Sequence, residues 1–286
     1  MEKQYAIIKI CRAVELSSSG YYAWKKGRSR KREARHRKLS VFIAARFSES
    51  KNTYGPVRIH KDLKEEKIPC SRRYVSQRMI EMGLKSVHKR KYRITTDSDH
   101  ALPIAPNILD RNFNPETLDT VYACDFTYIP THQGWIYLAV VMDLCSRKII
   151  GWSLKNHMRT ELVLSALNMA INCRKPQKGL IHHSDQGTQY ASALYRDRQF
   201  KSGMITSMSR KGNCWDNAPL ESFFATLKKE LIYSRDPFIT LDQAKEILFD
   251  YIETFYNRKR RHSSLGYISP EKYEQNLTEK IKREAA

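Results

Sequence analysis

A chain of 286 residues that is 41% hydrophobic has room for one sizeable core and a smaller module, and no apolar run reaches the ~18–20 residues that would span a bilayer. Its formal net charge of +21 is lopsided: residues 1–93 hold 26 Lys and Arg against 8 Asp and Glu (net +18), residues 94–286 hold 25 against 22 (net +3). That bias selects a polyanion, nucleic acid above all, as partner, and with no signal peptide at the start the expected location is cytoplasmic.

The first segment, residues 1–40, is expected to be basic and helical. It carries a turn and an aromatic cluster, Leu16 to Trp24, and then Lys25 to Lys38, where nine of fourteen residues are Lys or Arg. Such a run reads as a solvated arm or as a basic helix end beside DNA. It leads into a helical pattern with Val41, Phe42, Ala45 and Phe47. Residues 41–95 are expected to form a helix-turn-helix domain. Tyr54-Gly-Pro-Val-Arg58 starts one helix with Ile59 and Leu63 on one side, and Ile68-Pro69 stops it. Ser71 then caps a second helix whose core stripe is Val75, Met79 and Met82. Arg72, Arg73 and Gln77 face elsewhere, as groups that can bridge phosphates or read base edges in a major groove. Residues 96–118, with Pro103 and Pro106, read as a linker.

From Thr120 the period changes to that of strands. Thr120–Ile129, Trp135–Asp143 and Lys148–Leu154 are β-rich runs joined by short polar turns, which implies three consecutive antiparallel strands. A helix over 160–173, a short buried strand ending at Asp185, a strand over 204–208 and a last helix follow. This is the order of an α/β, ribonuclease H-like integrase core, a mixed five-stranded sheet with flanking helices, over residues 119–275, with 276–286 as a tail.

In the last helix Leu220, Phe224, Leu227 and Leu231 share a stripe, and Glu221 and Lys228 lie together on its margin. Asp216 or Asn217 is placed to cap it and Pro219 suits its first turn. Asp125 points off the first strand, Asp185 ends the strand expected beside it, and Glu221 follows 36 positions later. Hard oxygen ligands in an open cluster suit two Mg²⁺ or Mn²⁺ ions about 3.5–4 Å apart, able to drive an in-line displacement at phosphorus. Six scattered cysteines without a C-x-x-C pair argue against structural zinc and against a disulfide framework.

The order and spacing of the three carboxylates resemble those of retroviral-integrase-like polynucleotidyl transferases. The stretches Ile181–Tyr190, Ser207–Lys228, and Tyr256-Asn257 through Arg260, His262, Ser264-Leu-Gly-Tyr267 and Ser269-Pro270 resemble the second-frame (orfB) transposases of a large bacterial insertion-sequence family. The resemblance covers nearly the whole chain. It implies Asp125, Asp185 and Glu221 as catalytic metal ligands, Lys228 as a contact to element-end DNA, and cleavage at an element end followed by strand transfer through the freed 3′-hydroxyl. It also implies double-stranded DNA as partner, a homo-multimer on that DNA, a nucleoid-associated life in a bacterium, and an upstream-frame (orfA-type) protein or frameshift fusion that supplies end recognition.

Other residues carry blander readings. Asp143 precedes a turn where aspartate serves local hydrogen bonding, Asp197 sits in a charged helix, and of His182 and His183 one lines the site while the other packs. The stretch Arg258–His262, including Arg260 and His262, reads as a solvated helix end with a DNA-phosphate role open to it. The alternatives to an active transposase are a DNA-binding protein with an inactive integrase-like core and a nuclease of the same fold acting on RNA in hybrids.

Overall fold

A computed structural model of the protein describes residues 6–26, 28–86, 102–211 and 213–284, apart from the side chains of residues 28–32 and 214. The basic residues 88–93 and the start of the expected linker, 96–101, lie outside the described residues. The chain divides into two units, Met1–Ser86 and Val87–Ala286.

The first unit is all helical: α1 (Ile7–Ala13), α2 (Ser18–Lys25), α3 (Arg28–Glu49), α4 (Pro56–Glu65) and α5 (Arg72–Glu81). Pro56 opens α4, where its missing N–H costs nothing, and Lys67, at φ 58°, turns the chain after it. The Ser71 hydroxyl accepts from Tyr74 N (3.2 Å) and so caps α5. The core joins Leu39, Ile43 and Phe47 of α3 to Ile59, Leu63, Val75 and Met79. The α3 stripe is offset from the one expected, for Val41 is 68% exposed while Ile43 is fully buried. Leu39, Ile43 and Phe47 recur every fourth residue, which keeps them on one face; Val41 sits ~200° from Leu39. The basic run from Arg28 onward continues straight into this helix, so α3 passes through the boundary expected at residue 40. Arg78 ties α5 to α3 by donating to the Ser40 hydroxyl from Nε (3.1 Å) and Nη2 (2.7 Å).

In the second unit β1 (Val121–Thr131), β2 (Gly134–Asp143) and β3 (Ile149–Lys155) form an antiparallel meander. The helix α6 (Thr160–Arg174) leads to β4 (Ile181–Ser184), which pairs with β1 in parallel, and α7 (Thr188–Ala191) and α8 (Ala193–Lys201) lead to β5 (Ile205–Met208). The sheet order is β3-β2-β1-β4-β5, the mixed five-stranded arrangement expected. One face buries Tyr122, Cys124, Ala139 and Val141 against Leu162, Val163, Ala166, Leu167 and Ala170 of α6 and Tyr190 and Tyr195 of α7 and α8.

The approach of α6 to β3 depends on Gly151. A Cβ there would stand 2.8 Å from Ala170 N and overlap the Ala166 carbonyl oxygen, both rigid backbone atoms. Gly151→Ala is therefore expected to cost about 1–3 kcal/mol, the scale of overpacking a filled core. Thermal denaturation checks this, and an unchanged midpoint would mean that α6 retreats without loss.

Each edge of the sheet is met by another segment. At β3 the Asn257 side chain accepts from Ile149 N and donates to Ile149 O, each at 2.9 Å. At β5 Met208 N donates to Pro106 O (3.3 Å), and the Ser207 hydroxyl accepts from Ile108 N and Leu109 N (2.9 and 3.2 Å). Residues 106–114, expected as linker, are thus laid against the sheet, and Arg147 donates to Asn114 Oδ1 (2.7 Å). After β5 come a 3₁₀ turn (Cys214–Asn217), α9 (Ala218–Leu227), a π-helical turn (Lys228–Ile232), α10 (Leu241–Phe249) and a second π-helical stretch (Asp250–Tyr256). The last helix, α11 (Pro270–Glu284), runs through the tail boundary expected at residue 275 and is anchored by Glu274, which pairs with Lys148 (3.0 Å) and Arg174.

Candidate active site

The parallel register of β1 and β4 builds the site. Cys124 is opposite Ser184, so the next residues, Asp125 and Asp185, leave adjacent strands side by side, with strands about 4.8 Å apart. Asp125 Oδ1 accepts from Phe126 N (2.7 Å), and Asp185 Oδ1 accepts from Gly187 N (3.0 Å). A Cβ on Gly187 would stand only 3.0 Å from that Asp185 oxygen, so glycine keeps the approach to the carboxylate open.

Glu221 comes from α9. Leu220, Phe223, Phe224 and Leu227 are buried and fix the rotation of the helix, while Glu221 is at its exposed margin. Asn217, just before α9, donates from Nδ2 to Cys124 O (3.4 Å), which ties the start of the helix to the strand position beside Asp125. Pro219 stands in the first turn as expected, but neither expected cap forms: the Asn217 side chain accepts nothing from the helix. Asp216 is instead enclosed by Arg210 (2.7 and 2.8 Å), Arg111 (2.8 Å) and Asn107 (3.2 Å). These donors hold its carboxyl well below the usual range, the Arg210 hydrogen bond foremost. The loop that leads from β5 to Glu221 is thereby clamped to residues 107–111.

The stripe of this last helix breaks where expectation and structure part. The turn from Lys228 to Ile232 is π-helical, so Ile232, five residues after Leu227, is buried and Leu231 is only half-buried. One added residue per turn shifts the register of everything that follows. Lys228, the first residue of that turn, holds its ammonium 4.7 Å from the centre of the Tyr128 ring.

The charges of Asp185, Glu221 and Lys228 all act on Asp125. Burial raises the Asp125 carboxyl well above the ordinary range, the Asp185 charge raises it further, Glu221 adds to the effect, and Phe126 N–H and the Lys228 ammonium oppose it. Burial also raises Glu221 and lowers Lys228. Among the described residues no three His, Cys, Asp or Glu side chains converge tightly enough to hold one ion between them. Asp125 and Asp185 lie side by side on adjacent strands, and Glu221 is close enough for its charge to act on Asp125. Two orphaned polar atoms at the same place, Asn217 Oδ1 and the Tyr190 hydroxyl, are buried without a hydrogen-bond partner. Repelling carboxylates beside unused oxygen acceptors fit a hard cation and its water.

The histidines do not divide as expected, since both are fully buried. His182 sits among Cys124 Sγ (2.8 Å), the Tyr195 hydroxyl (3.0 Å) and Gln199 Nε2 (2.7 Å), and burial lowers it to about 3. His183 joins the Ser207 hydroxyl (2.9 Å) to Asp216 O (3.0 Å) and is lowered to about 4. Both are neutral struts. Asp143 accepts from Ser146 N (2.9 Å) and Asp119 N (2.7 Å), the local role expected of it. Asp197 pairs with Lys201 on α8.

The other expected DNA contacts fare unequally. Arg72, Arg73 and Gln77 are exposed on α5, with Gln77 Nε2 donating to Glu81 (3.0 Å). Arg260 is 5% exposed, and its Nε and Nη2 grip the two oxygens of Glu230 at 2.8 Å each. A guanidinium so committed is a structural cross-link between the π turn after α9 and the segment after α10, which corrects its reading as a phosphate contact. His262 is half-buried and meets the Ser264 hydroxyl (2.8 Å). The sequence offered no signal for the Asp216 clamp, whose arginines lie 105 and 6 positions away. Among the described residues no helix is long and apolar enough to cross a membrane, and Cys11, Cys70, Cys124, Cys145 and Cys173 are free thiols.

Comparison with known proteins matches this geometry to a family. Two models described as integrase core domain match residues 118–214 and 202–270, and one described as HTH-like domain matches residues 33–92. An insertion element IS600 protein of 31 kDa from Shigella sonnei is 43% identical over 93% of this chain and 99% of that protein. The transposase InsF for insertion sequence IS3A from Escherichia coli K12 is 38% identical over 96% of this chain and 95% of that protein. Among solved structures, the HTLV-2 integrase catalytic core domain in complex with magnesium aligns loosely, at 16% identity and a TM-score of 0.39 over 50% of this chain and 88% of that one. The chain therefore belongs to the IS3-family transposases of the InsF (orfB) type, DNA transferases with an integrase catalytic core and an HTH-like domain.

Proposed function

We propose that the protein cleaves DNA at insertion-sequence ends and joins the freed 3′-hydroxyl to a target strand, with Asp125, Asp185 and Glu221 as the ligands of two Mg²⁺ or Mn²⁺ ions. The observation that carries this reading is the β1–β4 register, which sets Asp125 beside Asp185, with the charges of Glu221 and Lys228 close enough to act on Asp125. Like charges held together at the cost of stability are the signature of a site built for a cation. When bound, the ions would activate a water or 3′-hydroxyl and stabilise the departing oxygen of an in-line displacement.

The chain's own residues supply the rest. Asn217 and the Asp216 clamp hold the start of α9 so that Glu221 faces the two aspartates. Lys228 offers a partly desolvated ammonium to a DNA phosphate, where burial strengthens the attraction. On the first unit, Arg72, Arg73 and Gln77 present donors to DNA, and the +18 charge of residues 1–93 supplies the sequence-independent part of binding. An upstream-frame (orfA-type) protein or fusion supplies end recognition, and copies multimerise on the DNA.

The test is strand cleavage and joining on labelled duplexes carrying candidate element ends, with Mg²⁺ or Mn²⁺, for wild type and Glu221→Gln, each with and without the upstream-frame protein. Glu221→Gln keeps the size and removes one ligand charge. Joined products are expected from wild type and to drop roughly 10²–10³-fold in the variant, the scale of losing one transition-state electrostatic contact. If both proteins bind DNA and neither cuts even with the upstream protein present, the reading gives way to a DNA-binding protein with an inactive core.

A further inference from the structure

The β1–β2 hairpin carries an aromatic surface that the chemistry above leaves unused. Trp135, at the start of β2, is 51% exposed. It is held rather than free: the Tyr128 ring meets it edge-on, with centroids 5.0 Å apart and planes at 79°. The other neighbour of Tyr128 is the Lys228 ammonium, 4.7 Å from its centroid. A second strand of contacts closes the hairpin tip, where His132 N donates to Phe238 O (2.9 Å) and the Arg235 guanidinium lies 4.7 Å over the Phe238 ring. Phe238 itself is buried, so the accessible part of this surface is Trp135, the Tyr128 ring beside it and the Lys228 ammonium, whose charge also acts on Asp125.

Cations that follow a phosphate backbone, interleaved with ring faces for bases, are what proteins present to unpaired nucleic acid. The reach can be measured along the strand. Asp125 to Tyr128 is three residues and Asp125 to Pro130, the partner of Trp135, is five. At about 3.3 Å per residue these are roughly 10 and 16 Å, or about three to five nucleotide steps at 3.4 Å each.

We propose that Trp135, buttressed by Tyr128, stacks an unpaired nucleobase of the bound DNA three to five nucleotides from the phosphate held at the carboxylates, with Lys228 on the intervening backbone. This rests on the reading of Asp125, Asp185 and Glu221 as the reacting centre and adds to it a second point that fixes the strand. A base held there is out of the duplex, so the site favours ends that are already open and contributes binding energy to opening those that are not.

The experiment uses the full chain in metal-free buffer, so that binding is read without cutting, and candidate element ends carrying 2-aminopurine at single positions. Wild type is expected to quench the probe at three to five nucleotides from the scissile phosphate and not near the far end of the duplex. Trp135→Ala is expected to lose that quenching and to weaken binding roughly 5- to 100-fold for ends with unpaired bases at those positions. Trp135→Phe, which keeps a ring, retains most of both. Equal quenching and equal affinity in Trp135→Ala would overturn the stacking site, as would a loss that is the same for fully paired and opened ends. Absence of DNA binding by wild type is a different result, which removes the DNA-processing reading and the inference together. Thermal denaturation of Trp135→Ala is expected to stay within a few degrees of wild type, because the indole is half in solvent; a collapse of the fold would make Trp135 a structural residue and also overturn the proposal.

Discussion

In metal-free buffer near pH 8, Asp125→Asn is expected to melt at a higher temperature than wild type while joining no DNA. The Asp125 carboxyl is raised by burial and by Asp185, so the folded chain holds its proton more tightly than the unfolded chain, whose aspartates titrate near 3.9. Such a group favours the fold fully below the unfolded value, and that contribution is lost as pH rises through the raised folded value. Above it, ionised Asp125 works against the fold, and the amide of asparagine does not. The excess in melting temperature is thus expected to shrink as pH falls and to vanish below about pH 4, each kcal/mol being worth about 2–4 °C in a unit of this size. Adding Mg²⁺ should raise the wild-type midpoint and leave Asp125→Asn nearly unmoved, since a ligand that binds only the folded state stabilises it. A variant that melts lower than wild type at pH 8 would show that Asp125 is a structural residue in a satisfied network.

Arg260→Ala is expected to be the most destabilising of the substitutions considered, and to leave the affinity of the surviving folded protein for DNA close to wild type. The Arg260 and Glu230 side chains are 6% and 9% exposed, and Tyr251 adds a hydrogen bond to Glu230 at 2.8 Å. Removing one partner leaves the other charge buried and unpaired, which costs about 3–5 kcal/mol. That corresponds to a melting temperature lower by roughly 6–20 °C. Arg260→Lys is expected to recover little, because a point charge cannot replace the two-pronged grip of the guanidinium. Melting curves and the salt dependence of DNA binding, taken together, decide the matter: a normal midpoint with a shallower salt slope would return Arg260 to the phosphate backbone.

The architecture of the core was legible because its signals are periodic. Alternation marked β1, β2 and β3, the apolar run before Asp185 marked β4, and the carboxylate spacing pointed to three elements that meet. The α3 stripe was misplaced because four apolar residues close together, Val41, Phe42, Ile43 and Phe47, admit two helical registers, and packing against α4 and α5 chooses between them. The shift from Leu231 to Ile232 was hidden because a π turn has no reliable sequence mark; in the structure Glu230, in its midst, is held by Tyr251 and Arg260. Charge read alone also misled at Arg260, since the sequence counts an arginine as basic whether or not a carboxylate 30 positions away consumes it. Asp216 escaped the opposite way, as a cap candidate by position whose partners, Arg111 and Arg210, lie on either side of the sheet's first and last strands in sequence.

Each edge of the sheet carries one capped position, Ile149 on β3 and Met208 on β5. An open strand edge is an invitation to ladder with another chain, and here the Asn257 amide occupies the outward N–H and C=O of Ile149 while the Pro106 carbonyl occupies the N–H of Met208. A second strand laid along either edge meets that occupied position, so a ladder through it requires the Asn257 amide or the segment at Pro106 to move away first.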